Sequence, residues 1–132
     1  MEGTMKRRAI STLLLGAAVV AGSALAHHSF SATYDETAEV RIEGDVAQFL
    51  FRNPHSLVHV AARAEDGAVH RWAIEWAGIG TLSGEGVTRE SLRIGDHVIV
   101  TGNPGRNPAD YRLRLRSLER PLDGWSWKGT FN

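Results

Sequence analysis

The feature that most limits what this chain can fold into is a two-residue alternation, repeated in short runs and cut by glycine and proline. In residues 39–51, Val40, Ile42, Val46 and Leu50 fall on one parity and Arg41, Glu43 and Asp45 on the other. Residues 56–63 place Val58, Val60 and Ala62 on one face, and residues 69–76 place His70, Trp72, Ile74 and Trp76 on one face. His97 to Thr101 is a fourth run. In residues 111–118, Tyr111, Leu113 and Leu115 alternate with Arg112, Arg114 and Arg116. A period of two is the pattern of a half-buried β-strand. Glu65-Asp66-Gly67 marks a hairpin. Arg52-Asn53-Pro54-His55 marks a turn, because proline fixes its own φ and pushes Asn53 towards extended backbone. Gly44 inside the first run marks a bulge or sharp bend. Beyond it Ala47, Phe49 and Phe51 make the second face apolar, so that end is expected to be covered on both sides.

Residues 77–96 carry no strand pattern and hold five glycines. Thr88 is placed to cap one short helical turn through Ser91 and Leu92. The tail, Asp123-Gly124-Trp125-Ser126-Trp127, is short and aromatic. There is no internal repeat and no linker between domains. The expected fold is all-β: a small five- to six-stranded OB-like Greek-key barrel with a short helical or loop insertion between strands 3 and 4. A strongly curved open sheet is the competing architecture. Closure removes sheet edges and lets a small core hold without disulfides, which this chain cannot form because it has no cysteine.

Ahead of the barrel, Lys6-Arg7-Arg8, an apolar run from Ala9 to Val20 and Ala24-Leu25-Ala26 stand in the order of a cleavable export signal. The expected organisation is a signal peptide over 1–26, an extended arm over 27–38 and the barrel over 39–132. Arg7-Arg8 also resembles the core of a twin-arginine signal, although the general secretory route is the expected one. Met5, directly ahead of Lys6-Arg7-Arg8, reads as a better start than Met1. Export implies a periplasmic protein with no integral membrane segment once the leader is removed. Removing residues 1–26 takes away Lys6, Arg7, Arg8 and Glu2, leaving 12 basic and 14 acidic residues, a net charge of −2. A nucleic-acid partner calls for the opposite sign.

His27-His28-Ser29-Phe30 with Tyr34-Asp35, Phe51-x-Asn53-Pro54-His55, Trp72-x-x-Glu75, Leu92-x-x-Gly95-Asp96-x-Val98-x-Val100-x-Gly102 and Asp123-Gly124 together resemble an uncharacterised family of small exported proteins of Gram-negative bacteria, known as a domain of unknown function. The resemblance spans nearly the whole chain after residue 26. It implies a compartment and a fold, and no activity.

Two constellations carry chemistry. Cleavage after Ala26 would make His27 the first residue, joining a free amine and an imidazole. With His28 and His55 it forms a candidate metal site, His55 being held by the stiff Pro54 turn. Nitrogen ligands without thiolate favour copper, with zinc as the alternative. The bland reading is a polar start and a turn-capping His55. His59, on the parity of His55, His70 and His97 read more simply as strand or surface residues. The second constellation is Asn53, Trp72 and Glu75, where an indole beside polar groups suits a small ligand. Glu75 is otherwise placed to pair with Arg52 or Arg71. Arg112, Arg114 and Arg116 read as the wet side of a strand. Catalysis lacks support: there is no cysteine, no Gly-x-Ser-x-Gly elbow, no His-Glu-x-x-His and no phosphate loop ahead of a helix. The sequence therefore points to a periplasmic binding module for copper or a similar metal. The alternative is a metal-free barrel that binds a small ligand or a periplasmic partner protein as an accessory subunit.

Overall fold

The computed structural model describes residues 30–132, of which 33–132 form one compact unit. The expected leader, His27 and His28 lie outside the described residues. Six strands run in the order β1 (Val40–Leu50), β2 (Leu57–Arg63), β3 (Val69–Glu75), β4 (His97–Pro104), β5 (Arg112–Arg120) and β6 (Trp125–Lys128). One short helix, α1 (Ile79–Gly84), lies between β3 and β4. A single 3-10 turn, Pro108–Asp110, lies between β4 and β5.

The sheet order is β3-β2-β1-β4-β5-β6, and β3 also pairs with β5. That last pairing is parallel, with Ala73 opposite Arg112 and Glu75 opposite Arg114, and it closes β1 to β5 into a barrel. All other pairings are antiparallel. The OB-like barrel with a small helical insertion is thus the fold of the chain, and the open sheet is not. β6 pairs only with β5, through Ser117 to Arg120. It takes over β5 beyond the stretch that pairs with β3.

The core follows the alternation. Val58, Val60, Ile74, Val98, Val100, Leu113, Leu115 and Leu118 are buried inside the barrel. Two register shifts let strongly bent strands keep apolar residues inward. In β1 the shift falls between Val46 and Gln48, so Ala47 is the added residue and Phe49, opposite Val58, takes over the inward face. The bulge therefore sits three residues beyond Gly44. Gly44 has a different task, since it pairs with both Ala62 and Val98. A Cβ there would lie 2.1 Å from the Ala61 carbonyl oxygen, so only glycine permits this approach. In β5 the shift adds Arg116, after which Leu118 replaces the parity of Leu113 and Leu115.

The insertion differs from expectation in detail. Its helix is α1, upstream of Thr88, and it buries Leu82. Thr88 instead joins a turn in which its N–H donates to Ser91 Oγ at 2.8 Å. The expected hairpin at Glu65-Asp66-Gly67 is present, with Gly67 at φ 84° and the Ala64 N–H donating to the Ala68 carbonyl at 2.7 Å. The aromatic tail is β6, and Trp127 packs edge-on against Trp76 at 5.2 Å between ring centres.

The stretch before β1 lies along the end of β4. Tyr34 bridges to Gly105, the Asp35 N–H donates to the Pro104 carbonyl, and Asn103 Nδ2 donates to the Ala38 carbonyl at 2.8 Å. Tyr34 is thereby buried.

Candidate functional site: a histidine held by a carboxylate

The turn between β1 and β2 is pinned before any function is asked of it. The Ser56 N–H donates to the Ala77 carbonyl and the Trp76 N–H to the Ser56 carbonyl, while Ser56 Oγ accepts from the Arg52 N–H. Asn53 Oδ1 accepts from the Ile79 N–H at 2.9 Å, tying the turn to the start of α1. The Asn53–Pro54 peptide is cis. Gly78 completes the fit, because a Cβ there would lie 2.5 Å from the Pro54 carbonyl oxygen. Of the sequence candidates, Asn53 is thus engaged as a tie between two loops.

That frame delivers His55 to Glu75. His55 Nδ1 stands 2.7 Å from Glu75 Oε1. Tyr34 donates its hydroxyl to the other oxygen, Oε2, at 2.5 Å. Arg112 reaches within 3.7 Å of the same oxygen, with its guanidinium 5.6 Å over the Tyr34 ring. The ring of Phe131 meets His55 edge-on at 5.8 Å. An ionised carboxylate only accepts, so Nδ1 carries the proton and Nε2 is the coordinating nitrogen of such a ring. Burial, reinforced by the neighbouring Glu75 carboxylate, pushes the Tyr34 hydroxyl well above the ordinary tyrosine range, so it remains a donor.

The structure brings His55 and Glu75 together, although they were read as members of separate constellations. It separates Trp72 from Glu75. Residues three apart on a strand point to opposite faces, and Trp72 turns towards the mouth of the barrel, edge-on to Tyr111 at 5.3 Å. Glu75 is bound by His55, Tyr34 and Arg112 rather than by Arg52 or Arg71, and Arg71 instead donates to Gln48. Tyr34 and Arg112 were missed as partners of the site. Tyr34 stands as a large aromatic in a polar stretch, which is the signal the sequence offers. Arg112 was hidden in the arginine alternation.

That alternation is not a wet stripe. Arg114 is 4 % exposed; it pairs with Glu36 at 2.5 Å and donates to the Phe131 carbonyl. Arg116 donates to Asn103 Oδ1. The other histidines fall elsewhere. His59 has a buried Nδ1 with no hydrogen-bond partner, and burial, aided by Arg71 and Arg52, holds its protonation below the ordinary histidine range. His70 stacks on Tyr111 at 4.2 Å. His97 lies between Glu43 and Asp45 on the surface. Among the described residues no group of three or more histidine, aspartate or glutamate side chains is arranged to hold a metal ion. His55 fits as one oriented ligand, and His27 and His28 lie outside the described residues.

Fold and site together define a small OB-like barrel that carries an oriented imidazole on its outer wall, over the β3–β5 seam. The chain belongs to a family of unknown function, DUF6152, whose sequence profile matches residues 16–113. Tyr34, His55, Glu75 and Arg112 all fall within the matched stretch. No curated protein matches the chain. No helix among the described residues is long and apolar enough to cross a membrane.

Proposed function

We propose that this chain is an exported, periplasmic binding module for copper or a similar transition-metal ion, with the leader removed after Ala26. The ligands would be the amine and ring of His27, assisted by His28 and by Nε2 of His55. The observation that carries this reading is the 2.7 Å contact between His55 Nδ1 and Glu75 Oε1. Metal-binding histidines commonly give their second ring nitrogen to a carboxylate, which fixes the tautomer and raises the basicity of the ligating nitrogen. Tyr34 and Arg112 hold that carboxylate in turn. A donor set of nitrogens without sulfur favours Cu(II) over Zn(II) in affinity order. The role would be storage, delivery or accessory binding.

The test is a titration with Cu(II) and Zn(II) of protein whose first residue is His27, repeated with one residue added ahead of it. Displacing the amine should remove most of the affinity, and His55→Ala should weaken what remains. Glu75→Gln should weaken binding by about 10- to 100-fold, as carboxylates behind metal-bound histidines do. Equal affinity of the native and extended forms would eliminate the proposal.

A further inference from the structure

A half-open groove of about 370 Å³ lies at the mouth of the barrel, within the size range of small-molecule sites. It is lined by Trp72 and by the end of β4 and the loop that follows it, with Pro104, Asn107 and Pro108. Arg106 and Arg112 both line it, and the Arg112 guanidinium lies over the Tyr34 ring near Glu75. Trp72 and Val40 also border a neighbouring concavity, whose lining mixes Glu43, Glu65 and Asp66 with Arg41 and Arg63. The two hollows thus share an aromatic wall.

We infer that the basic groove binds a small ring that carries a carboxylate. The indole offers a flat apolar surface for an aromatic or sugar ring. Arginine offers paired donors matched to a carboxylate. Arg112 suits this task because its Glu75 contact, at 3.7 Å, is too long for a strong hydrogen bond, and its side chain is 40 % exposed. Asp35 also lines the groove, but its carboxylate is turned to its own loop, accepting from the Thr37 N–H at 3.0 Å and from the Thr37 hydroxyl at 2.7 Å. Tyr111 ends the 3-10 turn at φ 46°, and its ring packs against both Trp72 and His70. This site shares Arg112 with the cluster behind His55 but goes beyond the metal reading and needs no metal.

The experiment is an NMR titration of the mature chain, ¹⁵N-labelled, with a chelator present. Benzoate and glucuronate are the two probes, and benzyl alcohol and glucose are their neutral controls. The Trp72 indole N–H, assigned through Trp72→Phe, and the amides of Gly105 to Asn107 should shift saturably with at least one acid. Saturation by benzoate assigns an aromatic acid, and saturation by glucuronate assigns a sugar acid. Arg112→Gln should weaken binding about tenfold or more. Arg106→Gln, in the exposed loop, is the second variant and should weaken binding as well. The proposal is overturned if neither acid gives a saturable shift, if the neutral controls bind equally, or if both arginine variants keep full affinity.

Discussion

Nδ1 of His55 lies 2.7 Å from Oε1 of Glu75, joining the turn after β1 to the last residue of β3. The contact is built from both sides. Backbone hydrogen bonds through Ser56 hold the turn, and the Tyr34 hydroxyl and the Arg112 guanidinium hold the carboxylate. An imidazole on a surface turn ordinarily samples several rotamers; here its ring plane and its tautomer are set by residues from three other segments of the chain.

Because Tyr34 is buried, removing its acceptor and removing its donor should have different costs. Tyr34→Phe keeps the buried ring and deletes one hydrogen bond, for about 1 kcal/mol. Glu75→Ala leaves the Tyr34 hydroxyl and His55 Nδ1 without the carboxylate they share, for about 1–3 kcal/mol. Urea unfolding of the two variants and of the double variant should show Glu75→Ala as the costlier single change. The pair should couple, with the double variant less destabilised than the sum. Strict additivity would mean that the Tyr34–Glu75 contact contributes nothing.

Two glycines separate close approach from simple flexibility. At Gly44 a Cβ would stand 2.1 Å from the Ala61 carbonyl oxygen, and neither backbone can yield without breaking the ladder. Gly44→Ala should cost about 3 kcal/mol or more, at the upper end for overpacking. Gly80 lies inside α1 with open space around it. Gly80→Ala should stabilise by about 0.5–1 kcal/mol, because alanine loses less backbone entropy in a helix. Thermal or urea unfolding reads both, and the two shifts should have opposite signs.

Much of this was legible in the sequence, and the illegible parts share a cause. The inward faces of β2, β3 and β4 follow strict alternation, so Val58, Val60, Ile74, Val98 and Val100 could be placed from residue spacing. The bulges at Ala47 and Arg116 shift parity within a strand, and a pattern of period two does not encode a change of phase. β6 is four residues long, too short to show alternation, and it forms because the outer half of β5 needs a partner after β3 departs. At the site, the opposed directions of Trp72 and Glu75 followed from their spacing. The pairing of Glu75 with Tyr34, His55 and Arg112 did not, because it joins positions 41, 20 and 37 residues away in sequence. Arg114 looked exposed for the same reason, since Glu36 and Phe131 reach it from opposite ends of the chain.

His97 should make stability depend on pH near neutrality. Its Nε2 lies 3.0 Å from Glu43 Oε1 and its Nδ1 2.8 Å from Asp45 Oδ1, an arrangement that only the doubly protonated ring satisfies. Glu43 foremost, then Asp45, raise the protonation of His97 above the ordinary histidine range, and Arg41 stands 3.5 Å behind Glu43. Stability from this contact is fully present below the unfolded value, about pH 6.5, and is lost as pH rises through the raised folded value. Exposure and salt screening keep the effect small. His97→Gln should flatten the stability profile as pH rises from about 6.5, the ordinary histidine value, relative to the parent. Glu43 remains ionised across that window because His97 holds its carboxyl below the ordinary range. A parent profile that is already flat at low salt would rule the contact out as a contributor.

The last strand should prove necessary to the barrel despite its length. Trp127 packs on Trp76, and its Nε1 donates to Glu85 Oε2 at 2.5 Å, so one side chain fastens β6 both to the core and to the end of α1. Trp127→Phe keeps an aromatic ring on Trp76 and gives up the hydrogen bond; a loss of about 1 kcal/mol is expected, since Glu85 can turn to water. Trp127→Ala also opens a cavity beside Trp76, and large-to-small changes of this kind cost about 3–5 kcal/mol. Because α1 is only six residues long and cannot hold its shape alone, the alanine variant should loosen it as well. Amide exchange of Leu82 and Val87 should therefore accelerate in Trp127→Ala and stay near the parent in Trp127→Phe. If Trp127→Ala leaves both the unfolding midpoint and those exchange rates unchanged, β6 is an appendage and the five-stranded barrel stands without it.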